Sequence, residues 1–302
     1  MKFAIAQETR IGARRMNQDR IAHWASAESL LMVVADGLGG HLHGEIAAEV
    51  AVDSLGAQFA REAQPRLADP QRFLAAAVVG AHAAIQHETG KRKLREAPRT
   101  VVVACVVQDG YAYWTHIGDC RLYHLRQGHV LVRTRDHTRV QQLVDEGRMR
   151  EEAVSSHPER NRLLQCLGGF DAPRLEPSAK TRLAKDDVLL LCSDGFWGPL
   201  TQRQLANALV NRPLGEAIRE LVGLAETRAG RECDNVSVMA LAWGEEEVAS
   251  AIARPLIVPA HDVPTDVQDF TATDLEFLRM SDEDIEKAIA EIKAALRKYT
   301  PR

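Results

Sequence analysis

Four aspartates stand where an apolar run gives way to glycine or to a polar turn. Asp36 closes Leu31-Met32-Val33-Val34-Ala35 and precedes Gly37, and Asp119 follows the run Tyr111–Gly118. Asp194 closes Val188-Leu189-Leu190-Leu191-Cys192-Ser193 and precedes Gly195, and Asp234 opens Asn235-Val236-Ser237-Val238. An Asp-Gly pair at a strand end is, alone, an ordinary turn; Asp109-Gly110 in the same chain is explained in that way. As a set the four say more. Strand ends can converge on one edge of a sheet, and carboxylates gathered there repel one another unless a cation neutralises them. Oxygen ligands without a matching His or Cys cluster select hard ions such as Mg²⁺ or Mn²⁺. A glycine beside a ligand lets a backbone carbonyl approach the ion. Two such ions can bridge and activate a water for in-line attack.

A phosphate-bearing substrate also needs a cation. Arg14, Arg15 and Asn17 come just before Asp19, and an arginine fork matches phosphate oxygens two at a time. Without the aspartates, Arg14-Arg15 would read as a solvated basic pair. His41 and His43 follow Asp36, and His-x-His can bind zinc. The many aspartates favour a harder ion, so His41 is read as support behind the ligands and His43 as exposed loop. Gly37-Leu38-Gly39-Gly40 lacks the G-x-G-x-x-G spacing of a dinucleotide loop.

These residues need strands and helices to carry them. Apolar runs predict strands at Leu30–Ala35, Thr100–Gln108, Tyr111–Ile117, Arg121–Leu125, Val130–Arg133, Val188–Cys192 and Val236–Trp243. Helical spacing predicts Gly44–Arg61, Pro70–Thr89, Thr138–Glu146, Thr201–Asn211 and Gly215–Arg228. Asp109-Gly110 between two strands is a strong hairpin signal. Arg126-Gln127-Gly128-His129 joins another pair. Consecutive hairpins do not fit an all-parallel sheet, so the pattern suits antiparallel sheets with helices outside.

Composition narrows the function. The chain has 302 residues, 45% hydrophobic and 26% charged, with a net charge of −4. It offers no basic field for nucleic acid or an anionic membrane. Its apolar runs fall short of the ~18 residues of a membrane helix, and the N-terminal run Phe3-Ala4-Ile5-Ala6 is too short for a signal core. The expected location is cytoplasmic. Five cysteines without CxxC spacing read as reduced, largely core residues. Near Gly244 the pattern changes. Residues 245–272, with Glu245-Glu246-Glu247, Pro255, Pro259 and Pro264, read as a linker. Residues 273–302 read as a helical extension: Ser281 and Asp284 form a cap pattern, and Ile285, Ile289, Ile292 and Leu296 share a face. That face would dock on the preceding domain or recruit a partner.

The motifs together resemble the PPM/PP2C metal-dependent phosphatases, in their bacterial branch. Arg14-Arg15-Met16-Asn17-Gln18-Asp19 and Val34-Ala35-Asp36-Gly37-Leu38-Gly39-Gly40-His41 are similar to that family's opening motifs. Ile117-Gly118-Asp119-Cys120-Arg121 resembles its Gly-Asp-Ser-Arg, and Asp136-His137-Thr138 its Asp-His-Ser. Cys192-Ser193-Asp194-Gly195-Phe196-Trp197 and Asp234-Asn235-Val236-Ser237 resemble its last two metal motifs. Order and spacing agree over Lys2–Trp243, so the phosphatase domain is assigned to residues 1–244.

The resemblance implies an α+β fold, a four-layer α/β/β/α sandwich of two mainly antiparallel sheets flanked by helices. It implies two Mn²⁺ or Mg²⁺ ions bridged by Asp36, with the Gly37 carbonyl on one and Asp194 and Asp234 on the other. Asp119 would belong to a weaker third site, and Arg14 would hold substrate phosphate. Asp19 would hold metal-bound water from behind the ligands, with Gln18, His41 and Asn235 as further support. The implied reaction is hydrolysis of phosphoserine and phosphothreonine on proteins by a metal-activated bridging water, with a cognate Ser/Thr kinase or its targets as partners. The alternative is a pseudophosphatase that binds a phosphoprotein without turnover; retention of Asp36, Asp194 and Asp234 argues against it. Four positions depart from the family pattern. Leu38 stands where many eukaryotic members have His, and Gln18 where many have Glu. Gly198 replaces a third-site aspartate, and Pro98-Arg99-Thr100 replaces Gly-Thr-Thr.

Overall fold

The computed structural model describes residues 1–38, 43–176, 179–210 and 212–244. His41, the linker at 245–272 and the extension at 273–302 lie outside the described residues. Ten strands appear among those described: β1 Phe3–Arg10, β2 Arg20–Ala25, β3 Ser29–Gly37, β4 Thr100–Gln108, β5 Tyr111–Ile117, β6 Arg121–Arg126, β7 His129–Arg133, β8 Ala179–Arg182, β9 Val188–Cys192 and β10 Val236–Trp243. The helices are α1 Gly44–Glu62, α2 Pro70–Lys91, α3 Arg139–Asp145, α4 Asp194–Trp197, α5 Gln202–Ala208 and α6 Leu214–Ala229.

The strands form two five-stranded sheets, ordered β1-β10-β9-β6-β7 and β2-β3-β4-β5-β8. All their pairings are antiparallel. Both expected hairpins turn on two residues of positive φ: Asp109 at 54° with Gly110 at 73°, and Gln127 at 48° with Gly128 at 76°. That is the backbone a two-residue turn needs to match the strand twist.

Alternation along β3 builds the layers. Leu30, Met32 and Val34 pack in one cluster with Leu189, Leu191, Met239 and Leu241 of the other sheet. Leu31, Val33 and Ala35 point the other way, onto Ala47, Ala51, Leu55 and Leu74 of α1 and α2. The far side of the second sheet packs Leu190, Val238 and Ala240 against Leu205 of α5 and Ile218 and Leu221 of α6. The result is the expected α/β/β/α sandwich. Burial on both faces explains why the central strands read as unbroken apolar runs although the sheets are antiparallel. At roughly 1.5–3 kcal/mol per buried large aliphatic side chain, this core can hold like charges at one edge without coming apart.

Three strands escape the sequence periodicity: β1, β2 and β8. All three are sheet edges. Their side chains are largely half-buried or exposed, so the apolar signal is diluted. Among the described residues no helix is long and apolar enough to cross a membrane. All five cysteines are free thiols, four of them buried.

Candidate active site

The end of β3 delivers Asp36 and Gly37, paired in register with Val101 and Thr100 of β4. Thr100 Oγ1 donates to the Asp36 carbonyl at 2.6 Å, and the Leu38 amide donates to the Arg99 carbonyl at 3.0 Å. Gly37 is required by packing as well as by any ion. A Cβ there would lie 2.4 Å from the Gly44 backbone, so the start of α1 fits against it only without a side chain.

Asp119 sits in the β5–β6 turn. Its neighbour Gly118 has φ 97°, and a Cβ there would meet Val101 Cγ1 at 2.1 Å. The Gly118 amide donates to His137 Nδ1 at 3.2 Å, and Trp197 Nε1 donates to the Asp119 carbonyl at 2.9 Å. Arg121 forks onto Asp136 at 2.8 and 2.7 Å and lies 3.3 Å from the centre of the Trp197 ring. The Asp136-His137-Thr138 segment thus braces the turn, and Thr138 also caps α3 through the Gln141 amide. None of this bracing is visible in sequence periodicity.

Asp194 follows the end of its predicted strand, at the start of a short helix that the apolar run does not reveal. β9 ends at Cys192, and Asp194 opens the short helix α4, so a first helical turn carries the carboxylate. Asp234 precedes β10. Arg14 Nη2 donates to Asp234 Oδ2 at 2.6 Å. Asn235 is the brace of the Arg14 loop: its Oδ1 accepts from the Gln18 amide at 2.8 Å, and its Nδ2 donates to the carbonyls of Ile11 and Met16 at 2.9 and 3.0 Å. The Gln18 side chain donates to Glu45 at 3.2 Å.

Asp19 is buried behind these groups. Its Oδ2 accepts from Ser193 Oγ at 2.8 Å, and Ser193 Oγ accepts from the Ser237 amide at 3.0 Å. Asp19 Oδ1 has no hydrogen-bond partner. Ser193 is a support that sequence reasoning missed, because its role depends on the pairing of β9 with β10.

Arg14, Gln18, Asp36, Gly37, Asp119, Asp194 and Asp234 line one cleft of about 1380 Å³. Its electrostatics are strained. Burial pushes Asp36 well above the usual carboxylate range, and the charges of Asp19, Asp194, Asp119 and Asp234 add to it. Burial, then Asp194 and Asp136, do the same to Asp119. Burial lifts Asp19 to about 7 despite the serine donors. Burial and Asp234 lift Asp194 to about 6. Carboxyls raised together in this way lack the positive charge they would need to ionise.

That deficit fits divalent cations. Among the described residues no three His, Cys, Asp or Glu side chains form a closed ligand set around one point. Hydrated hard ions do not need one: Mg²⁺ keeps several waters and takes only one or two carboxylates. An unpartnered acceptor such as Asp19 Oδ1 suits a water-rich centre of this kind. Raised carboxyls, a backbone carbonyl free of side-chain cover and a guanidinium on one cleft define a candidate divalent-metal centre for an anionic ester.

The chain belongs to the protein phosphatase 2C family, whose model matches residues 6–231. Over 227 residues it is 34% identical to the serine/threonine protein phosphatase PstP of Mycobacterium tuberculosis, covering 75% of this chain and 42% of that protein. The chain therefore spans less than half the length of that relative. The structure of the S. agalactiae serine/threonine phosphatase is similar with a TM-score of 0.71 at 29% identity, covering 80% of this chain and 99% of the other. The catalytic domain of PstP in complex with two manganese ions is similar with a TM-score of 0.66 at 30% identity, covering 80% and 97%.

Proposed function

We propose that this chain hydrolyses phosphoserine and phosphothreonine esters on proteins, using two Mn²⁺ or Mg²⁺ ions held in the aspartate cleft. The observation that carries the reading is the set of carboxylates that burial and mutual repulsion hold above their usual range on a cleft that also presents Arg14. When bound, the ions neutralise that set, polarise the phosphoryl oxygens and make water a better nucleophile.

The remaining roles fall to the chain. Asp36 and the Gly37 carbonyl would hold one ion, and Asp194 and Asp234, with Asp36, would hold the other. Asp119 serves a weaker third site, in which Gly198 supplies no carboxylate. Arg14, whose guanidinium reaches the cleft beside Asp234, would fork onto the phosphoryl oxygens and stabilise the charge that grows there. Asp19 offers Oδ1 as an acceptor to water in the centre. The ester bond breaks as water attacks phosphorus in line, yielding free phosphate and the serine or threonine hydroxyl. Leu38 carries no proton, so water protonates the leaving oxygen.

The substrates are cytoplasmic phosphoproteins, among them a cognate Ser/Thr kinase or its targets, and residues 273–302 recruit a partner. Loss of phosphothreonine-peptide hydrolysis on chelation, with recovery on adding Mn²⁺, is the expected behaviour. Folded, metal-saturated protein without turnover would refute the activity. Partner binding unchanged by deletion of Thr273–Arg302 would remove the recruitment role.

A further inference from the structure

We propose that Arg99 binds an oxyanion carried by the substrate chain beside the phosphoresidue, so that the enzyme prefers phosphopeptides with an acidic side chain or a second phosphate in the flank. The proposal rests on the phosphatase reading above.

Arg99 is built into the junction between the aspartate loop and the cleft wall. Its carbonyl accepts from the Leu38 amide at 3.0 Å. Next to it, Thr100 pairs with Leu167 in both directions, at 3.2 and 2.8 Å, where the wall segment 161–174 begins to return. The Thr100 hydroxyl also holds the Asp36 carbonyl. The backbone that carries Arg99 is therefore fixed on both sides, which lowers the entropy lost when its side chain takes a ligand.

Arg99 lines the same cleft as Asp36, Gln165 and Cys166. Its Nε is buried and has no hydrogen-bond partner. The other well-placed arginines are satisfied: Arg14 by Asp234, Arg121 by Asp136 and Arg126 by Asp187. Among the described residues Arg99 makes no such pair. A guanidinium is charged at every accessible pH, and a buried charged donor without an acceptor is costly. An incoming anion would remove that cost.

Arg99 and Arg14 serve different parts of the cleft. Arg14 is held by Asp234 at 2.6 Å, whereas the Arg99 backbone joins the Leu38 amide to Thr100 and its bridge to Leu167. Leu167, the bridge partner of Thr100, follows Cys166 of the cleft wall, so Arg99 adjoins that wall through the backbone. The scissile phosphate belongs with Arg14 and the aspartates; Arg99 faces what flanks it. Asp171 and the exposed Arg174 share the wall and set the background charge that Arg99 must exceed.

The test compares three phosphothreonine peptides with saturating Mn²⁺: neutral flanks, a glutamate flank and a second phosphothreonine. Wild type, Arg99→Gln and Arg99→Lys are measured, with p-nitrophenyl phosphate as the small substrate. Wild type is expected to favour one or both anionic peptides in kcat/KM by about tenfold, mainly through KM. Arg99→Gln should abolish that ratio and Arg99→Lys keep part of it. A larger effect with glutamate assigns the site to carboxylate, and with the second phosphate to phosphate. No preference in wild type, or an equal loss on all three peptides in Arg99→Gln, would overturn the proposal; the latter would place Arg99 on the scissile group. Absence of Mn²⁺-dependent turnover of p-nitrophenyl phosphate by wild type would instead sink the underlying phosphatase reading.

Discussion

The two ends of β9 carry aspartates in opposite electrostatic states. Asp187, just before the strand, is fully buried. Burial alone would raise it, yet its partners hold it below the usual carboxylate range. Arg126 donates to both its oxygens at 2.6 and 2.7 Å, the Ala184 amide donates at 2.8 Å, and His124 Nε2 lies at 2.8 Å. Asp194, just past the strand, is lifted to about 6 by burial and by the charge of Asp234. Behind it Asp19 keeps one oxygen unpartnered. An aspartate supplied with donors by its own fold stabilises that fold. One left short of positive charge awaits a ligand, here proposed to be a pair of divalent ions.

Substitutions at the two ends should therefore behave in opposite ways. Asp36→Asn should lower Mn²⁺-dependent turnover by roughly 10³-fold or more, since the ions contribute several kcal/mol. The melting temperature of the metal-free protein should hold or rise, because one repelling carboxylate is gone. Asp187→Asn should destabilise the fold by about 1.5–3 kcal/mol, as loss of charged hydrogen bonds to a half-exposed arginine does, measured by urea unfolding; turnover per folded molecule should persist. Equal stability losses at both positions would erase the distinction.

Arg14→Gln sharpens the comparison on the substrate side. Loss of a charged hydrogen bond of about 1.5–3 kcal/mol predicts a fall of roughly 10- to 100-fold in kcat/KM on phosphothreonine peptides. Acidity separates the ends again. Asp19 and Asp194 titrate at about 7 and 6 in the fold against 3.8 ordinarily. The metal-free fold thus binds more protons than the unfolded chain between those values, and its stability should fall as pH rises through them. Asp187 has the reverse sign: its contribution is present above 3.8 and is lost as pH falls through its lowered value. Melting of metal-free protein from pH 5 to 8 should show the decline, and Mn²⁺ should flatten it. A flat metal-free profile would contradict the charge deficit. The smallest effect belongs to Thr100→Val, which frees the Asp36 carbonyl and should cost about 1 kcal/mol with a modest loss of Mn²⁺ affinity.

Much of this contrast was legible in the chain. The central strands carry unbroken apolar runs because both their faces are buried, and the aspartates stand out at their ends. Asp36, Asp119, Asp194 and Asp234 do meet in one cleft with Arg14. The edge strands β1, β2 and β8 were not legible, since half-exposed strands admit residues such as Glu8, His23 and Lys180 that break the pattern. The braces were hidden for another reason. Ser193 behind Asp19, Thr100 behind Asp36 and Trp197 behind Asp119 act across strand pairings that no local spacing records. Asp187 stood in plain view as Asp186-Asp187 before β9, yet only the placement of Arg126 and His124 shows that it is satisfied.

The most direct test of the central claim is a Mn²⁺ binding titration of wild type and Asp36→Asn, with phosphothreonine-peptide hydrolysis followed on the same samples. Two strongly bound ions are expected in the wild type, with weakened binding and collapsed turnover in the variant. Undiminished binding and turnover in Asp36→Asn would show that the carboxylates at this end of the sandwich do not hold the catalytic ions.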